Sequence, residues 1–76
     1  MKAFTPRERE IAALIGEGWT NKAIAGRLYV TEKTIDKHLG NIGSKLGHVP
    51  GSGYVLRVQI ARWAFRHIKR ERELNT

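Results

Sequence analysis

The first apolar stripe along the chain is short and sharply bounded. Thr5-Pro6-Arg7-Glu8 places an N-cap hydroxyl before a proline at the first helical position and a glutamate at the third, a capping box that predicts a helix start. Ile11, Leu14 and Ile15 then recur at helical spacing, and Gly16 and Gly18 supply a C-cap. Trp19 is expected to pack under the turn that follows. Thr20 caps a second helix starting at Asn21-Lys22, with Ile24, Ala25 and Leu28 facing inward. Ala23 stands where a capping-box glutamate would be, so this cap is weaker than the first. The pattern breaks at Leu28-Tyr29-Val30-Thr31, and Thr31 caps a third helix. Two short helices joined by so tight a turn are a helix-turn-helix candidate.

The third helix, predicted over residues 32–46, is the most informative segment. Ile35, Leu39, Ile42 and Leu46 form a narrow core stripe, about 60° wide at 100° per residue. The opposite face holds Lys33, Lys37, Gly40 and Ser44, flanked by Asn41, and is small, polar and basic. Lys33 and Lys37 form an i,i+4 like-charge pair, mildly unfavourable on an isolated helix. Glycine and serine outward let a helix approach a duplex closely, and its lysines can meet phosphates or guanine edges. His38, Asn41 and Lys45 line the flank where the backbone of a docked duplex would run. His48-Val49-Pro50-Gly51-Ser52-Gly53 is a loop by composition, without the ending of a phosphate-binding loop. A fourth helix is predicted from about Val55 to Arg72, with a core stripe of Ile60, Ala61, Ala64 and Ile68. Val58 and Phe65 widen one edge of that stripe and Trp63 the other. The resulting apolar arc exceeds half the circumference, so a second contact is expected there, either the loop with Tyr54 or a partner chain. Arg62, Arg66, Lys69 and Arg70 fill the rest, and residues 71–76 are expected to fray.

Composition and charge narrow the chemistry. With 76 residues the chain is one small all-α domain, and its lack of cysteine excludes disulfides, thiolate nucleophiles and cysteine-based metal sites. No apolar run reaches the ~18 residues of a membrane span. The first residues carry no secretory h-region, and a cytoplasmic protein is expected. Residues 1–38 carry seven basic and five acidic side chains, residues 39–76 seven and two, and the net charge is +7. Between Asp36 and Glu71 there is no acid at all. A field of one sign over such a length favours a polyanionic partner. Asp36 and His38 stand two apart on a helix and point in different directions, and the histidines at 38, 48 and 67 form no i,i+4 metal pair. No catalytic constellation, metal site or cofactor is implied, and no enzyme is expected.

Phe4-Thr5-Pro6-Arg7-Glu8-Arg9-Glu10, Gly18-Trp19-Thr20-Asn21-Lys22-Ala23-Ile24-Ala25, Val30-Thr31-Glu32-Lys33-Thr34-Ile35, then His38, Ile42 and Lys45-Leu46-Gly47 together resemble the LuxR-type (GerE/FixJ-type) DNA-binding domain. Arg57 and Ile60-Ala61-Arg62-Trp63-Ala64 look like its fourth helix. The resemblance spans residues 4–68 and implies a four-helix fold whose third helix, the recognition helix, enters the major groove of double-stranded DNA. It implies that Lys33, Thr34, Lys37 and Asn41 reach the groove, and that Thr20, Asn21, Lys22, His38 and Lys45 hold the backbone. It also implies a weak homodimer through the fourth helix, with Val58, Trp63 and Phe65 at the contact, and RNA polymerase as a further partner. The methionine just before the motif fits a stand-alone member, acting in the bacterial nucleoid or, if virus-encoded, in the host cytoplasm. Asp36 stands where the family often carries a basic residue; it either accepts a hydrogen bond from cytosine in the groove or restrains a neighbour. Residues 48–55 form an inserted loop.

Two other readings compete. The basic amphipathic segment Val55–Arg72 with Trp63 could bind an anionic membrane surface or a partner, although such a peptide would not need the helix caps and core stripe upstream. The fourth region of sigma factors shares the first three helices but lacks the His38 and Lys45-Leu46-Gly47 pattern.

Overall fold

The computed structural model describes residues 3–51 and 55–69. Four α-helices follow in order: α1 (Pro6–Gly16), α2 (Asn21–Leu28), α3 (Glu32–Lys45) and α4 (Leu56–Ala64). The described residues outside them form turns and one π-helical segment, Phe65–Lys69, which continues α4. The first three starts lie where the threonines put them. The Thr5 hydroxyl accepts from the Glu8 amide while the Glu8 carboxylate accepts from the Thr5 amide at 2.8 Å, a closed capping box. Thr20 accepts from the Ala23 amide and Thr31 from the Thr34 amide, each without a reciprocal partner. α4 differs: its N-cap is Val55, which makes no side-chain hydrogen bond.

The core is a stack of isoleucines. Ile11 of α1, Ile24 of α2, Ile35 and Ile42 of α3 and Ile60 of α4 are all fully buried. Each such side chain contributes roughly 1.5–3 kcal/mol over its exposed state. Two glycines let the helices close on this stack. A Cβ on Gly16 would stand 3.0 Å from the Cβ of Ala64, so α1 and α4 touch nearly backbone to backbone. A Cβ on the buried Gly43 would fall 2.5 Å from Leu56 Cδ1, so the start of α4 sits on the bare back of α3.

The α2–α3 turn ends on Tyr29, whose φ of 58° and ψ of 42° are left-handed. A glycine or asparagine usually occupies this position, and no feature of the sequence pointed to the strain.

The fourth helix differs from expectation in two ways. Regular α-structure ends at Ala64 and widens into the π segment, while residues 70–72 of the predicted helix lie outside the described residues. Its apolar arc is also narrower than its sequence suggested, because Trp63 is taken into the fold. Phe4 meets the Trp63 ring edge-on with centroids 4.5 Å apart, and Arg9 lies over it at 5.8 Å. Tyr54, the loop residue expected to cover this arc, lies outside the described residues. Trp19 packs half-buried under its turn as expected, with the Arg27 guanidinium 4.9 Å from its ring.

Candidate nucleic-acid interface

One face of α3 looks into solvent along its whole length. Ile35, Leu39 and Ile42 fix its rotation by sitting in the core. That rotation leaves Lys33, Lys37, Gly40, Asn41 and Ser44 exposed. Among the described residues, neither Lys33 nor Lys37 has an acidic partner. Thr34 is half-buried, and its hydroxyl stands 3.0 Å from that of Thr31, an arrangement that stiffens the start of the helix. Beside this face, the first turn of α2 contributes Thr20 and Lys22, both exposed.

Asp36 does not reach either lysine. Its Oδ1 accepts from the Asn21 side-chain amide at 2.9 Å, tying α3 to the start of α2. Arg57 completes this arrangement from α4, donating to Asn21 Oδ1 and to the Trp19 carbonyl. Both ends of the Asn21 amide are therefore held within the protein, and the carboxylate at the edge of the basic face is restrained by a neighbour. Of the two roles the sequence left open for Asp36, the geometry favours restraint. Arg57 was legible only as part of a fourth-helix pattern, and nothing in the spacing indicated that it ties α4 to the start of α2.

Lys45 also has an internal task. Its Nζ lies 2.5 Å from Glu8 Oε1, with the lysine side chain one-fifth exposed and Glu8 buried. It also donates to the Ala3 carbonyl at 3.3 Å. Burial pushes the Glu8 carboxyl up, but the hydrogen bonds from Lys45 and from the Thr5 amide, with the lysine charge, outweigh it and hold the group below its ordinary value of 4.5. The lysine expected on the duplex backbone is thus committed to locking α3 against α1. His38 is half-buried on the same flank.

At the proposed dimer contact the three residues part company. Val58 and Phe65 are exposed, at 48% and 60%, whereas Trp63 is packed against Phe4. Among the described residues no group of three or more His, Cys, Asp or Glu side chains is placed to hold a metal.

A compact α2–turn–α3 unit, braced by α1 and α4 and presenting a free basic face on its second helix, defines a helix-turn-helix domain. The chain belongs to the luxR family of bacterial regulatory proteins, which residues 2–50 match. It is 51% identical over 45 residues to the transcriptional regulatory protein LiaR of Bacillus subtilis, covering 59% of this chain and 21% of LiaR. It is 46% identical over 46 residues to the oxygen regulatory protein NreC of Staphylococcus aureus, covering 60% of this chain and 21% of NreC. Against the DNA-binding transcriptional activator DevR/DosR of Mycobacterium tuberculosis the identity is 38% over 47 residues, covering 62% and 22%. The chain spans between 5% and 22% of the length of these and other curated relatives. No solved structure matches it significantly.

Proposed function

We propose that this domain binds double-stranded DNA as a sequence-specific transcriptional regulator, laying α3 in the major groove. The observation that carries the reading is the outward face of α3, where two lysines with no acidic partner among the described residues are followed by glycine, asparagine and serine on a helix locked in rotation by its core stripe. Small residues permit close approach, and lysine reaches guanine O6 and N7 or phosphate. Lys33, Lys37 and Asn41 face the bases in this arrangement, with Lys37 the principal reader. Thr34 supports them, while Thr20, Lys22 and His38 lie toward the backbone. Asn21, Asp36 and Lys45 act indirectly by fixing α2, α3 and α1 relative to one another.

Two copies meet through the exposed Val58 of α4 and Phe65 of the π segment, giving a two-fold complex on a two-fold operator. Trp63 supports that contact from within its own chain. The protein acts by binding rather than catalysis, in the cytoplasm, where the bacterial nucleoid lies. Inward packing of Trp63 weighs against α4 as a membrane-surface helix, since that ring would be its main anchor. Among the described residues no helix is long and apolar enough to cross a membrane.

Selection of bound duplexes from a random pool tests the proposal. Enrichment of one motif, in two-fold related copies, is expected. Equal recovery of all sequences would reduce the domain to non-specific polyanion binding.

A further inference from the structure

A groove of about 530 Å³ opens between the loop that follows α3 and the side of α4. Its apolar wall is Leu46, Val49 and Trp63, and its rim carries the guanidinium groups of Arg62 and Arg66. No acid lines it, and among the described residues neither arginine has an acidic partner. Arg62 and Arg66 stand one turn apart, so two like charges share one rim, with no acid among the described residues that line it. The loop wall is held in place: the His48 amide donates to the Gly43 carbonyl at 2.9 Å, and His48 Nδ1 lies 2.7 Å from Gln59 Oε1. These contacts tie the start of the loop to the end of α3 and to α4.

We infer that this groove docks an acidic, apolar peptide segment of a partner protein, its carboxylates on Arg62 and Arg66 and an apolar side chain against Leu46, Val49 and Trp63. Charge complementarity selects the occupant. Duplex DNA would satisfy the arginines but leave the apolar wall facing phosphates, and the groove is too open to enclose the greater part of a small ligand. The place also differs from the DNA face. Lys37 lies nine residues before Leu46, the C-cap of α3, about 14 Å at 1.5 Å per residue. Arg62 stands one turn from Val58, whereas Trp63 and Arg66 face the loop that follows α3 across the groove.

Nuclear magnetic resonance on the full chain tests this, because the only two indoles, Trp19 and Trp63, report separately. The probe is a synthetic pentapeptide of alternating acidic and apolar residues (Asp-Leu-Glu-Phe-Asp, capped at both ends), with its Asn/Gln counterpart as the uncharged comparison. The acidic peptide is expected to shift the Trp63 indole and the Arg62 and Arg66 side-chain signals, leaving the Trp19 indole and the Lys33 and Lys37 amides in place. Arg62→Gln with Arg66→Gln should weaken that binding about tenfold, as expected for two exposed ion pairs, with Tm unchanged. Several results would overturn the inference: no binding, equal binding of the uncharged peptide, shifts centred on Lys33 and Lys37, or full affinity in the double variant. A loss of DNA affinity in that variant, with a salt slope shallower by about two, would assign the arginines to phosphates instead.

Discussion

Replacing Lys45 with methionine should damage this domain far more than a surface lysine substitution does. The change removes the ammonium 2.5 Å from Glu8 and leaves a carboxylate that is only 4% exposed. Removing one member of a buried ion pair costs about 3–5 kcal/mol, because the remaining charge is uncompensated. Two features bring the figure down here: Lys45 is one-fifth exposed, and Glu8 keeps its 2.8 Å hydrogen bond from the Thr5 amide. A loss of about 2–3 kcal/mol is expected, which at ~4–8 °C per kcal/mol lowers Tm by about 10–20 °C. Stability on the order of 0.05–0.15 kcal/mol per residue makes that a large share of the total for so short a chain. Thermal unfolding followed by circular dichroism reads it directly. Glu8→Gln combined with Lys45→Met should recover much of the loss, since glutamine can still accept from Thr5 and no charge is left buried. A single Lys45→Met variant within about 0.5 kcal/mol of the parent would place this pair with ordinary exposed ones and refute the reasoning.

The same pair predicts a pH response: Glu8 is held below 4.5, so its contribution is complete above that pH and is lost as pH falls through the folded-state value, and urea titrations across pH 6 to 3 should show it shrink in the parent but not in Glu8→Gln. Asp36→Asn, which removes the exposed negative charge and can still accept from the Asn21 amide, should raise affinity for all duplexes about equally, by roughly fivefold. A panel varying each operator position would expose the contrary result, relaxed preference at one base pair. Tyr29→Gly should raise stability by about 1 kcal/mol, because left-handed backbone is disfavoured for a residue bearing a Cβ; a destabilised variant in equilibrium unfolding would show that the exposed ring makes up for its backbone.

Local physics made most of the fold legible. Thr5, Thr20 and Thr31 start three helices because capping involves residues three apart, and the Ile35, Leu39 and Ile42 stripe sets the rotation of α3 by itself. The basic outward face follows from that rotation, so the part of the candidate site that depends on one helix was readable. The rest depends on what other elements bring. The sequence could not show that Lys45 meets a carboxylate 37 residues away, or that Asn21 stands between Asp36 and Arg57. Nor could it decide what covers Trp63, because an apolar arc looks the same whether Phe4 or a second chain packs on it. The π segment after Ala64 leaves no mark on a 3.6-residue pattern that was already apolar through Ile68.

The most direct test is the affinity of the chain for a selected duplex as a function of salt, measured for the parent and for Lys37→Ala. If α3 lies in the major groove among phosphates, log K falls linearly with log salt at about 0.9 per phosphate neutralised. Lys37→Ala should then relax preference at one base pair by about 1–3 kcal/mol if the lysine reads a base, or flatten the slope by about one if it meets a phosphate. Affinity independent of salt, or a Lys37→Ala variant matching the parent in slope and in preference at every position, would contradict the assignment of this face to DNA.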